Sequence, residues 1–278
     1  MPLKDILVHM DATPQSVPRL EAAIALADAH QAHLTGLYVI HPPHIPGFVR
    51  PQIGDEILER QARLLAETAE AVETKFRDRV GTESFPYEWR TVEGDPVHVL
   101  ALHARYADLA ILGQRNPNGD DISANPDMPD RVVLSVGRPA LVVPYAGTFP
   151  VVGERVMVAW DASRLATRAV SDAMPVLTQA KHVAVLAINP KGGEDGHGDI
   201  PSADICLHLA RHGVHVEAQH VYADDVDSGA MLLSRAADEG MDMLVMGAYG
   251  HARWREVVLG GVTRHVLKHM TVPVLMSH

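Results

Sequence analysis

The sequence predicts an α/β protein made of two tandem, doubly wound, parallel five-stranded sheets. Three observations predict it. Short Val/Ile/Leu runs alternate with helical stretches, those runs lack polar/apolar alternation, and the whole pattern recurs in the second half of the chain. Strands covered by helices on both faces read as continuous apolar runs. Alternating βα units imply parallel strands joined by right-handed crossovers.

In the first half a strand at 4–9 leads into Asp11, and an Ala-rich helix follows at 16–31. A strand at 34–40 enters a Pro/His/Gly-rich stretch. The next helix, 54–80, is amphipathic: Ile57, Leu58, Leu64, Leu65, Val72 and Phe76 recur at roughly helical spacing among charged residues. Strand 85–92, helix 96–106, strand 108–113, helix 128–136 and strand 140–144 complete the half. The second half repeats it, with strands at 155–160, 182–188, 214–222, 242–247 and 272–277. Its helices lie at 164–179, 202–212, 229–239 and 261–269. Asp161 repeats Asp11 at an offset of 150, whereas Gly247 repeats Gly113 and Pro273 repeats Pro139 at 134. The drop of 16 (150 − 134) places the extra residues within 41–60. A short Gly/Pro linker spans 145–153, so the expected domains are 1–146 and 153–278.

Composition excludes several classes. The chain has 278 residues, 47% of them apolar, and 35 acidic against 24 basic side chains, a formal charge of −11. That balance opposes sequence-independent nucleic-acid binding, which needs a basic footprint. No apolar run reaches the ~18–20 residues of a membrane span, and the first residues lack a signal-peptide pattern. A single cysteine, Cys206, allows no internal disulfide, so a cytoplasmic location is expected. Among 17 histidines, His208/His212 and His265/His269 share helix faces, but no third ligand has defined spacing. Neither metal nor catalytic residues are expected. Walker A, G-x-G-x-x-G and G-x-Ser-x-G patterns are all lacking.

Open parallel sheets bind ligands at the carboxyl ends of their strands. There the fourth strand of the second half meets Gly247 and Gly250, followed by His251, and Gly260 and Gly261 open the last helix. Glycines let a ligand approach backbone N–H groups, and a helix N-terminus offers unpaired amides to an anion. Thr263 is a candidate for a phosphate bond or for capping the first turn. Asp161 can accept from ribose hydroxyls, and Ile188 can offer backbone groups to an adenine edge. Taken alone, the glycines read equally well as tight turns and a helix start.

This G-x2-G-x9-G spacing, with the stretch Asp242 to His278, resembles the universal stress protein family over the whole chain. The family pattern continues with Ser or Thr where this chain has Gly261. The resemblance implies a Rossmann-like fold with strand order 3-2-1-4-5. It implies ATP, with Mg2+ as a candidate companion ion, or a related adenine nucleotide at Asp161, Ile188, Gly247, Gly250, His251, Gly260, Gly261, Val262 and Thr263. It also implies a homodimer and, in tandem members, an internal pseudo-dimer in which the last strands pair. The first half departs from the pattern: Asn116, Pro126 and Asp127 replace Gly250, Gly260 and Gly261, and Asp120 and Asp121 add negative charge. Pro126 has no N–H to donate. In the loop of the second half, Arg253 and Arg255 are candidates to close over phosphates, and Trp254 to dock on a neighbouring element. The expected function is therefore a stress-response regulatory protein binding an adenine nucleotide in its C-terminal half. The alternatives are a nucleotide-independent structural or partner-binding protein of the same fold, and an enzyme acting on another anionic small molecule.

Overall fold

The computed structural model describes residues 2–42, 54–117, 128–190, 202–223, 225–250 and 261–278. In chain order the first half comprises β1 (Asp5–Met10), α1 (Ser16–His30), β2 (His33–Ile40), α2 (Asp55–Val80), β3 (Tyr87–Glu93), α3 (Pro96–Ala104), β4 (Leu109–Gly113), α4 (Met128–Val136) and β5 (Ala140–Val143). The second comprises β6 (Arg155–Ala159), α5 (Arg164–Leu177), β7 (His182–Ile188), α6 (Ala203–Arg211), β8 (Val216–Val221), α7 (Ser228–Asp238), β9 (Met243–Gly247), α8 (Gly261–His269) and β10 (Val274–Ser277).

All ten strands form one sheet, ordered β3-β2-β1-β4-β5-β10-β9-β6-β7-β8. Each half is parallel with order 3-2-1-4-5, and β5 and β10 join antiparallel, Leu141 opposite Leu275. The two expected five-stranded sheets are therefore fused edge to edge by their last strands. Gln114 reinforces the join: its Nε2 donates to the Leu267 carbonyl at 2.8 Å, and its Oε1 accepts from the Tyr145 N–H at 3.1 Å.

Side chains alternate across the sheet. Ile6, Val8 and Met10 of β1 enter the core layer under α1 and α2, while Leu7 enters the one under α3 and α4. Local signals set several helix starts. Asp95 accepts from the His98 N–H before Pro96. Ser163 accepts from the Ala166 N–H, and Asp227 from the Ala230 N–H.

Helix α2 departs from the expectation in one respect. Only Ala69, Val72, Phe76 and Val80 are buried, whereas Ile57 and Leu64 are 62% and 54% exposed. A helix of 26 residues runs about 39 Å. The eight residues of β2 span only about 26 Å. The first turns of α2 overhang the strand they would cover. Among the described residues no helix is long and apolar enough to cross a membrane.

Each repeat anchors the start of its first strand with an aspartate that precedes its fourth. Asp108 accepts from the Lys4 and Asp5 N–H groups. Asp242, more buried, accepts from Gly153, Glu154 and Arg155 at 2.6, 3.2 and 2.9 Å. Removing that acceptor orphans backbone donors. Asp242→Ala is expected to lower unfolding free energy in urea by roughly 1–3 kcal/mol; no change would contradict the role.

Candidate functional site

The carboxyl ends of β6, β7 and β9 bring together most of the residues singled out in the sequence. Asp161 follows β6 and is exposed; its Oδ1 accepts from the Ser163 N–H at 3.0 Å, which leaves the second oxygen for a ligand. Ala162 adopts φ +57°, an uncommon conformation for a residue with a side chain, and turns the chain into α5. Ile188 ends β7, half-buried. The next residue, Asn189, clamps β7 to β8 by exchanging bonds with the Ala223 N–H and carbonyl.

Gly247 ends β9. A Cβ there would stand 2.6 Å from the backbone of Leu165, so the close approach of the first turn of α5 explains this glycine without a ligand. The next two amides are engaged as well: Ala248 N–H donates to the Ser277 carbonyl at 2.8 Å, and Tyr249 N–H to the Thr263 hydroxyl at 3.1 Å. Thr263 is 4% exposed and therefore fastens the turn after β9 to α8. This adds a packing role to the one expected for Thr263, since a hydroxyl that accepts here keeps its own hydrogen to donate. Among the described residues, the turn at Gly250 and the first turn of α8 are what remains exposed of the glycine pattern. Gly250, Gly261 and Val262 are exposed, and a Cβ on Gly261 would meet nothing within 4 Å. His251, Gly260, Arg253, Trp254 and Arg255 lie outside the described residues.

Tyr249 carries no signal in the sequence. It sits at φ +63° and is 4% exposed, and its hydroxyl donates to Asp130 of α4 at 2.5 Å. The turn between Gly247 and Gly250 is thereby tied to the other half of the molecule.

The equivalent crevice of the first half is filled from within. Arg19, 2% exposed, pairs with Asp11 at 2.5 Å and donates to His9 Nδ1 at 3.2 Å. A Cβ on Gly113 would lie 2.7 Å from the Arg19 guanidinium. The second half has Ala169 at that helical position and Ala159 in place of His9. Arg19 was legible as a charge on an otherwise apolar helix face. Burial pushes the Asp11 carboxyl up, but Arg19, His9 and Thr13 more than reverse this and hold it well below the usual carboxylate range. Asp120, Asp121, Pro126 and Asp127 lie outside the described residues.

The histidine pairs do meet, with tilted rings whose centroids lie 4.8 Å apart for His208/His212 and 4.7 Å for His265/His269. Among the described residues no group of three or more His, Cys, Asp or Glu could hold a metal ion. Cys206 is half-buried, and burial pushes its thiol up to about 11.

The model of the Universal stress protein family matches residues 2–144 and again 153–278. Universal stress protein Slr1230 of Synechocystis sp. is 26% identical over 181 residues, 60% of this chain and 57% of that relative. Universal stress protein MJ0577 of Methanocaldococcus jannaschii is 44% identical over 41 residues, 15% of this chain and 25% of that relative. The matches thus span little more than half, and a quarter, of those relatives' lengths. A crystal structure of a universal stress protein from Archaeoglobus fulgidus superposes with a TM-score of 0.73 at 17% identity, covering 98% of this chain and 97% of that one. At that identity the likeness is one of fold.

Burial, then the Arg19 guanidinium, push His9 down to about 4. Between pH 4 and 6.5 the unfolded chain holds a proton on His9 that the folded chain does not, so unfolding free energy rises with pH across that window. The expected loss from pH 7 to pH 4 attributable to His9 is about 3 kcal/mol. His9→Asn retains an acceptor for Arg19, so its denaturation curves should lack that part of the slope. An unchanged slope would contradict the assignment.

Proposed function

The chain belongs to the universal stress protein family, and on that premise we propose that its C-terminal half binds ATP or a related adenine nucleotide, as a stress-response regulatory protein. The observation that carries the reading is the bond from Tyr249 N–H to Thr263, which holds the turn after β9 against the first turn of α8. The exposed residues Gly250 and Gly261–Val262 lie one or two positions along the chain from the two ends of that bond. A helix N-terminus favours a polyanion. His251 and Gly260 fall within the same stretch of chain. Asp161, with one oxygen uncommitted to the Ser163 N–H, suits a ribose hydroxyl, and Ile188 suits an adenine edge. Mg2+ would enter on the phosphates, since such ions usually bind through phosphates and few carboxylates.

In this reading the domains are 1–146, whose degenerate site is closed by Arg19, and 153–278, which carries the G-x2-G-x9-G pattern. One chain then takes one nucleotide. Binding would order the glycine turn and shift contacts made around it. No residue is assigned a catalytic role. A cytoplasmic homodimer belongs to the same proposal. Because β5 and β10 already pair within the chain, a second copy must use another surface.

A second reading, a nucleotide-independent structural or partner-binding protein, draws on Gly247, whose glycine is explained by packing alone. The two readings part on thermal stability. A nucleotide raises it as RT ln(1 + [L]/Kd), and a protein with no site does not respond.

Acid extraction of the purified chain, followed by titration with ATP and Mg2+, is expected to find bound adenine nucleotide or saturable binding. Gly250→Asp should abolish it through charge repulsion. Gly261→Ser has room for its side chain and restores a hydroxyl, so it should tighten binding by about tenfold. No nucleotide in the extract and no binding at millimolar ATP would overturn the proposal. Equal binding by Gly250→Asp would overturn the site.

A further inference from the structure

The N-terminal half holds a second, unrelated cavity of about 270 Å3, at the starts of β1, β2 and β3 beneath the last turn of α3. It lies some six residues of strand, about 20 Å, from the crevice end of β1. The sheet face there ought to be apolar, since helices normally cover it. Instead it carries an unbroken polar chain. His33 Nδ1 lies 3.5 Å from the Thr35 hydroxyl, which donates to Glu88 at 3.2 Å. Glu88 pairs with Arg90, and Arg90 donates to His103 Nδ1 at 3.3 Å.

The directions of these bonds give the cavity two unlike ends. Arg90 donates to His103 Nδ1, so the His103 proton sits on Nε2 and is a donor, beside the remaining guanidinium N–H groups. Burial and Arg90 lower the His103 pKa and keep that ring neutral. The other end is Glu88, which accepts from the Thr35 hydroxyl, with His33 beside Thr35. Asp5, opposite His33 in register, adds a carboxylate at that end. Tyr106, 79% exposed, stands at the mouth.

The second repeat keeps two residues of this polar chain but has Ala184 in place of Thr35, and it changes both ends. His182 and Glu217 occupy the positions of His33 and Glu88 and lie 3.6 Å apart. Arg155 replaces Asp5 and Gln219 replaces Arg90, as the strand registers show. Ala237 and Gly240 stand where the 134-residue offset puts His103 and Tyr106. The dipolar cavity is therefore a property of this half and not of the fold.

We propose that this cavity binds a small zwitterion of the free amino-acid class, its carboxylate on Arg90 and His103 and its ammonium on Asp5 and Glu88. The volume lies just below the ~300–1,000 Å3 of sites for drug-sized ligands, which suits a metabolite of that size. A nucleotide is too large and too anionic for it. The site is independent of the crevice in the other half.

The test is calorimetric titration of the full chain with each common L-amino acid, with acetate and methylammonium as single-ended probes. At least one amino acid is expected to bind with a Kd on the order of 1 mM or tighter. Arg90→Met and His103→Asn should each weaken it at least tenfold, whereas Gly250→Asp should leave it unchanged. Arg90 is 41% exposed, so its replacement should not prevent folding. No amino acid binding up to about 10 mM would overturn the proposal. Equal binding of acetate or methylammonium would overturn the zwitterion, and binding indifferent to both substitutions would overturn the location.

Discussion

One buried hydrogen bond, from the Tyr249 N–H to the Thr263 hydroxyl, sets the geometry of the C-terminal crevice. Without it the turn leaving β9 and the first turn of α8 would be separate surface features, each with a few amides facing water. With it they form one array. The constraint reaches further because the same tyrosine, held at positive φ, donates its hydroxyl to Asp130 in the other half. The part of the molecule best placed to meet an anion is thus also bonded to α4. Any movement of that turn must either preserve or break this link to the first half.

The two repeats show how one scaffold reaches opposite outcomes with few changes. Asp11 and Asp161 occupy the same place after the first strand. In one repeat a buried arginine neutralises the carboxylate and packs against Gly113; in the other Ala169 brings no charge to Asp161, and the first turn of α5 packs against Gly247 instead. A buried, paired guanidinium substitutes for an external ligand without depending on its concentration. Losing one partner of such a pair would leave the other charged and dry, at several kcal/mol. The first half is closed by this internal pair, quite apart from the prolines and aspartates of its missing glycine pattern.

The architecture was legible because it is written locally. Apolar runs, the helical spacing of apolar residues along α2 and the doubled pattern each report on their own neighbourhood. The elements fell within a residue or two of expectation, and the fusion through β5 and β10 followed from the family likeness. What escaped depends on distance. The overhang of α2 is a mismatch between two lengths, invisible in the helix's own periodicity. Arg19 stands out by charge, but its meaning requires knowing that Asp11, His9 and Gly113 converge on it. The bond from Tyr249 to Thr263 was not foreseen because a hydroxyl early in a helix serves a ligand, a cap or a neighbouring strand equally well, and packing adds the last of these here. Gly247 teaches the same: a small residue at a strand end makes room for a ligand or for a helix, and here the helix is already there.

Amide-resolved NMR of the full chain during titration with ATP and Mg2+ addresses the crevice most directly. Saturable shifts should appear at the amides of Gly250, Gly261 and Val262, with little change at Asp11, Arg19 and Gly113. Shifts centred on the first half, or amides of the C-terminal turn that stay unmoved while nucleotide binds elsewhere, would contradict it.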